Sequence, residues 1–362
     1  MAIPSGLSAQ LGIGQEGTYG TFVAPSVFIP FNTESVVLAI ERLESMGLGK
    51  STTVQHSDLW DAGKRQAQGS IELDVLSKGF NIIWTQILGV SAMTSPDDDT
   101  RDHSHTIGEL TGTSASWQIG RPDTGGTVRP FSYTGVKVVD WELSMALDEY
   151  LKLSVNIDAQ NESTSETLGT ASYASAAYAL PFTGATITIG GNSYTIKSMS
   201  IKGTTGVETE SYGLGAATKN NPVQESLREI TVDFELEFES LVVHNLFTGG
   251  STAEIVATCQ ANTLIEGSMY PYVKVTLPTV RFDGEGPQVG GPGKVLQTLT
   301  GKALYDGTNE PITLVYRTTD TTTYASASPS LSPSVSVSLS PSASSSPSAS
   351  PSLSPSASPS PS

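Results

Sequence analysis

"SIELDVLSKGFNIIWTQIL", Ser70–Leu88, can be laid over "EITVDFELEFESLVVHNLF", Glu229–Phe247, and this overlay decides how the chain is read. Ile71 meets Ile230, Leu73 meets Val232, Asp74 meets Asp233 and Val75 meets Phe234. Further on, Ile82, Ile83, Ile87 and Leu88 meet Leu241, Val242, Leu246 and Phe247. Each copy opens with period-two alternation and continues with apolar residues at helical spacing, which predicts a strand running into a short helix. A second pair follows in the same order: "YTGVKVVDWEL" from Tyr133 and "YPYVKVTLPTV" from Tyr270 share a Tyr and then Val-Lys-Val at the same offset. The first pair is 159 positions apart and the second 137, a difference that an extra loop in the first copy, Thr94–Thr106, accounts for. Two matched elements in one order imply a duplicated domain.

The remainder reads as β. "SVFIPF", "SVVLAI", "LKLSVNID", "TITIG", "SYTIKSMSIKG", "VLQTLTGKALY" and "ITLVYRTT" are rich in β-branched and aromatic residues, and turn residues separate them at the short spacing of sandwiches and barrels. The expected fold is mainly β, with two tandem β-barrel or sandwich domains, each flanked by one short helix. The first spans 1–163 and the second 182–323, joined by a small, polar linker at 164–181. From 324 to 362 the chain is Ser/Pro-rich, without an aromatic residue after Tyr324 and without charge. It lacks the apolar surface needed to offset chain entropy and is expected to be extended and disordered.

Composition excludes several functions. The 362-residue chain carries 19 Lys and Arg against 36 Asp and Glu, a net charge of −17, so no large basic face can be assembled for gripping a phosphate backbone. The single Cys259 rules out an intramolecular disulfide and a Cys-based zinc site. No window approaches the roughly 20 apolar residues of a membrane helix. The first 41 residues hold no Lys or Arg and no long apolar run, so no signal peptide of the usual kind is expected.

Two Gly-Lys pairs invite a phosphate-loop reading and fail it. In "RFDGEGPQVGGPGKV" the pair is Gly293-Lys294, but the position that must be Gly is Gln288 and Val295 replaces the Ser or Thr. In "MGLGKST" Glu44 occupies the Gly position. Gly284 and Gly286 are followed by Val289 where a dinucleotide fingerprint needs a third Gly. The glycines Gly284, Gly290, Gly291 and Gly293 are therefore read as shaping a long connection between strands, one that reaches toward a neighbouring subunit. "SPDDDTRDHSH" reads as an exposed acidic loop; its weak metal candidates are Asp97, Asp99, His103 and His105, the two histidines lying on one side of a strand, and its spacing fits no EF-hand. No nucleophile stands in a G-x-S-x-G elbow or beside a base, so no enzyme and no cofactor is expected.

One pattern bears on function. In "TVDFELEFES" Val232, Phe234, Leu236 and Phe238 alternate with Asp233, Glu235, Glu237 and Glu239, which puts a row of carboxylates about 7 Å apart on one face of a strand. Charges within a Debye length of about 8 Å repel, so the row belongs against water or an ion atmosphere. Glu72 and Asp74 in the first copy, and Asp140 and Glu142 beside Trp141, repeat the alternation.

"LGIGQEGTYGTFVAPSVFIPFNTESV", Leu11–Val36, resembles the N-terminal segment of the tail tube (major tail) proteins of long-tailed, non-contractile bacteriophages. "VTLPTVRFDGEGPQVGGPGKVLQTLTGKALYDGTNEPITLVYRTTDT", Val275–Thr321, resembles the C-terminal end of the same group, with its Arg-Phe-Asp-Gly, Gly-Gly-Pro and Ala-Leu-Tyr-Asp-Gly. The resemblance implies a structural virion protein that stacks as rings into a tail tube, through which genomic DNA passes without specific binding. It also implies tape-measure, tail terminator and distal tail proteins as partners. Rings of this group are usually sixfold, so a duplicated chain implies a trimeric pseudo-hexamer, with a hexamer of singly used tube domains as the alternative. Asp233, Glu235, Glu237, Glu72 and Asp74 are then the expected lumen-lining carboxylates. The competing class is a tandem β-sandwich adhesion protein with a Ser/Pro stalk.

Overall fold

In the computed structural model, which describes residues 5–47, 53–265, 267–284, 286–289 and 291–324, both matched stretches are a strand followed by a helix. In chain order the strands are β1 (Gln10–Gln15), β2 (Val27–Ile29), β3 (Thr33–Glu34), β4 (Val37–Glu44), β5 (Trp60–Asp74), β6 (Gly89–Thr94), β7 (Arg101–Ile107), β8 (Ala115–Pro122), β9 (Val128–Ala146) and β10 (Lys152–Ala159). They continue as β11 (Asn161–Ser163), β12 (Ala185–Ile189), β13 (Asn192–Ser193), β14 (Ile196–Thr204), β15 (Ile230–Glu237), β16 (Thr252–Gln260), β17 (Tyr272–Gly284), β18 (Leu296–Ala303) and β19 (Thr313–Thr318). The helices are α1 (Asn81–Leu88) and α2 (Leu241–Gly249). Ser240 caps α2 by accepting from the Val242 N–H, and Gly250 ends it at φ 63°, a left-handed turn that only Gly enters without strain.

The strands form one open antiparallel sheet, and the order within it repeats. In the first half β5 pairs with β10, β10 with β9, and β9 with β8. In the second half β15 pairs with β18, β18 with β17, and β17 with β16. In each half the leading strand runs into a helix, and the strand returning from the hairpin slots in between. Leu73 opposite Leu153 opposite Leu143 corresponds to Val232 opposite Gly301 opposite Phe282. β14 joins the halves, with Ile201 between Leu143 of β9 and Val232 of β15. Gly203 sits against the indole of Trp141, where a Cβ would come within 2.5 Å of ring atoms, so this close strand contact requires Gly.

A second contact between the halves was not expected. Thr94–Thr106, expected as an extra loop, folds into the β6–β7 hairpin, and β7 pairs with β19 of the second half. Arg317 and Asp102 clasp this pairing with two bonds of 2.7 Å, and the buried Tyr316 hydroxyl donates to the Leu76 carbonyl. Aspartate-rich spacing hid the strand, because a run of charges reads as a loop until a partner strand covers its alternate residues. The segment 164–181 runs along the first half, where Tyr173 bridges to Phe28 and Ala179 to Leu76.

The core lies behind the sheet. Ile71, Leu73, Leu153, Leu143, Ile201, Val232, Phe234 and Phe282 are all buried on one side of the central strands, as period two requires. Every residue of α1 is buried, including Trp84. In α2 only Val243 is. Tyr324, the last described residue, packs on this core, and the Ser/Pro segment 325–362 lies outside the described residues.

Candidate functional site, a charged sheet face

The face opposite the core is a polar field set by register. One row across it reads Glu72, Ser154, Glu142, Lys202, Thr231, Lys302 and Arg281. The next reads Asp74, Lys152, Ser144, Ser200, Asp233, Thr300 and Asp283. Beyond them stand Ser198, Glu235 and Thr298 on one side and Asn156, Asp140 and Thr204 on the other. Carboxylates outnumber cations on this surface, and both halves contribute.

Of the expected carboxylate row, Asp233, Glu235 and Glu237 stand half-exposed on β15 between the buried Ile230, Val232, Phe234 and Leu236, whereas Glu239 lies past the end of the strand and accepts from the Thr195 N–H at 3.0 Å. The row is not bare, however. Lys202 of β14 stands 3.6 Å from Asp233 and 3.6 Å from Glu142, which also accepts from the Ser200 hydroxyl at 2.6 Å. Glu237 is held below the usual carboxylate range by Lys197 at 2.6 Å and by Lys294 at 2.7 Å. Lys302 meets Glu229 at 2.7 Å, and Asp74 accepts from the Asn32 side-chain amide at 3.0 Å. Ion pairs at a solvated surface add little stability, so these set the charge pattern far more than the stability. A single strand's sequence shows its own charges but not the cations that neighbouring strands lay beside them. The signal for Lys202 was the alternation Ser198, Ser200, Lys202 in "IKSMSIKG".

Lys294, which ended the phosphate-loop look-alike, donates to both oxygens of Glu237 at 2.7 and 2.8 Å. The Gly-rich run links β17 to β18. Gly284 is the last residue of β17, opposite Leu299, while Gly291 and Gly293 face open space within the chain. Gly290 lies outside the described residues. Val289 projects here, 77% exposed.

The metal candidates do not gather. Asp97 and Asp99 sit in the turn between β6 and β7, whereas His103 and His105 are buried on β7. His103 donates from Nε2 to the Asp320 carbonyl at 2.8 Å. Among the described residues no three His, Cys, Asp or Glu side chains converge on one point. Cys259 is buried, and desolvation pushes its thiol up to about 12, so it is a packed and unreactive side chain. Nor is any helix among the described residues long and apolar enough to cross a membrane.

The sequence matches the model of the phage tail tube protein family over residues 6–303. The chain belongs to that family. No curated protein matches it. As a family member it is a structural component of the virion tail, of a kind that assembles with itself into a tube. The matched region contains both strand–helix copies, all of the charged face and the Gly-rich connection. Of the two end segments that carried the resemblance, the first lies within it entirely and the second as far as Ala303.

Proposed function

We propose that the chain polymerises as stacked rings and that its charged sheet face lines the channel through which DNA is ejected. One observation carries this reading: a broad polar face, richer in carboxylates than cations, runs across both halves with its side chains half-exposed or exposed. A channel for a polyanion must not bind it, and a net acidic wall in confined solvent repels phosphate at every depth. The lysines set among the carboxylates keep the wall from repelling itself. The repeated strand order supports 1–163 and 182–323 as two copies of one tube domain connected by 164–181. Three chains would then complete a sixfold-like ring, with six chains as the alternative arrangement. Tape-measure, terminator and distal tail proteins are the partners this role requires.

Charge reversal tests the lumenal assignment. Glu235→Lys together with Glu72→Lys is expected to leave tails assembled and to slow DNA ejection at least about tenfold, read from dye-labelled genomes leaving particles counted by electron microscopy. Ejection at the wild-type rate places this face elsewhere. Glu237 is left untouched because a lysine there would crowd Lys197 and Lys294 and disturb the loop itself.

The Gly-rich connection is proposed to contact another subunit or ring. Because no described residue lies within 4 Å of a Cβ at Gly293, Gly293→Leu is expected to leave monomer melting unchanged while raising the concentration needed for assembly about tenfold. Assembly at the wild-type concentration makes the segment a loop without a partner.

A further inference from the structure

After β19 the chain crosses to the first half and closes a cleft of about 360 Å³ beside the start of α1. Four stretches distant in sequence line it: 26–28, Gly79 with Asn81, 172–174, and 319–322 with Tyr324. Hydrogen bonds fix its shape. Asp320 accepts from the Gly79 N–H through Oδ2 at 2.6 Å, the Asp320 carbonyl accepts from His103, and the Thr322 carbonyl accepts from the Asn81 side-chain amide at 2.5 Å. The volume falls within the roughly 300–1,000 Å³ of small-molecule sites. None of the lining residues belongs to the charged rows, and the cleft adjoins the helix that packs on the core side of the sheet.

The lining narrows what fits. No Lys or Arg is among the described residues that line the cleft and Asp320 is, which disfavours an anion, while a single carboxylate is too little for a metal ion. Tyr173 stands 47% exposed, and Phe28 meets its ring edge to face, with centroids 6.4 Å apart and planes at 71°. Tyr324 adds a second phenol. Asn81 is 2% exposed, and because its side-chain NH₂ donates to Thr322, the atom left without a partner among the described residues is the acceptor Oδ1. Five Ser and Thr residues complete the lining. An apolar ring face set among acceptors and hydroxyls, with no cation, suits a pyranose, whose C–H groups stack on the ring while its hydroxyls donate to amide and carboxylate oxygens. A quaternary ammonium calls instead for rings on several sides and gains nothing from the hydroxyls.

We infer that this cleft is a saccharide site, in which a neutral pyranose stacks on Tyr173 and donates hydroxyls to Asp320 and, at the inner end, to Asn81. Binding needs only the single chain. Its setting rests on the lumenal assignment of the charged face: with that face inward, the α1 side lies on the outside of the tube, where a virion meets the sugars of a cell surface.

Saturation-transfer NMR on the full chain, with glucose, galactose, mannose and N-acetylglucosamine as probes, tests it. At least one sugar is expected to take up signal on one ring face, to lose it about fivefold or more in Tyr173→Ala and to keep it in Tyr173→Trp. Tyr173 is exposed, so both variants are expected to melt with the wild type. No transfer to any of the four sugars, or transfer that Tyr173→Ala leaves unchanged, overturns the site. Choline chloride, run in parallel, overturns it as well if choline alone takes up signal that depends on Tyr173. Each of these results leaves the tube reading standing. A chain that binds sugar through Tyr173 but forms neither rings nor tubes at high concentration overturns the tube reading and keeps the site.

Discussion

Replacing Lys219 by methionine is expected to cost the fold about 3–5 kcal/mol, because it strands a carboxylate in the interior. Lys219 is fully buried in the 205–229 arm, and its ammonium pairs with Asp158 of β10, itself only 5% exposed. Burial pushes the Asp158 carboxyl above its ordinary value even though Lys219 pulls it down. Desolvation therefore outweighs the attraction of the partner, and the pair persists because each ion needs the other. The double change Lys219→Met with Asp158→Leu removes both charges and is expected to lie within about 1 kcal/mol of the wild type or above it. Denaturant midpoints of the single and double variants, with m-values held constant, check this. A single variant as stable as the wild type would show that the arm is not clamped here. The Gln160 side chain donates to the Lys219 carbonyl at 2.8 Å, so loss of the clamp is also expected to free the arm, read as faster amide exchange over 205–229.

Acid is the second strong lever, acting through His105. Its imidazole is buried on β7, and neither ring nitrogen has a hydrogen-bond partner among the described residues. Burial, reinforced by the neighbouring His103, pushes its pKa down to about 3. An unfolded chain binds the proton near pH 6.5 and the folded chain does not, so stability contributed by the neutral ring is complete above pH 6.5 and is lost as pH falls toward 3. At 1.36 kcal/mol per unit, the loss at pH 5 is about 2 kcal/mol. His105→Leu is expected to flatten the melting profile between pH 7 and 5, where the carboxylates have barely begun to titrate. A variant with the wild-type slope assigns the acid sensitivity to another group. Arg317, the cation of the same β7–β19 junction, is raised above its ordinary value by its hydrogen bond to Asp102 and keeps its charge throughout this window, which leaves the sign unchanged.

Much of the fold was legible along the chain because the information is periodic. Alternation in "TVDFELEF" fixed which residues of β15 face inward, since a strand side chain has only two directions and one of them is the core. The overlay of Ser70–Leu88 on Glu229–Phe247 located both helices, and the shared Tyr-x-x-Val-Lys-Val located β9 and β17. The failed spacing of the Gly-Lys pairs excluded a phosphate loop, and Lys294 proves to be bound to Glu237. The 94–106 hairpin was misread because its strand is decided by its neighbour: His103 and His105 are inward-facing only because β19 pairs beside them. The same limit applies to the charged face. Asp233 could be assigned a side from its own strand, but Lys202 came beside it through the register of β14 against β15, a pairing between residues 31 positions apart that no local pattern records.

By itself the sequence determined a mainly β chain with a repeated strand–helix unit, a net acidic charge and a Ser/Pro-rich composition after Tyr324. Local periodicity, spacing and composition are properties of neighbouring residues, and they suffice for such statements. Tertiary structure alone decided that β14 joins the two halves into one sheet, that Arg228 reaches the last carbonyls of α1, and that α2 is left largely exposed. Those outcomes depend on which strand edges find partners, and edge pairing is settled by contacts between distant segments competing for the same backbone donors and acceptors.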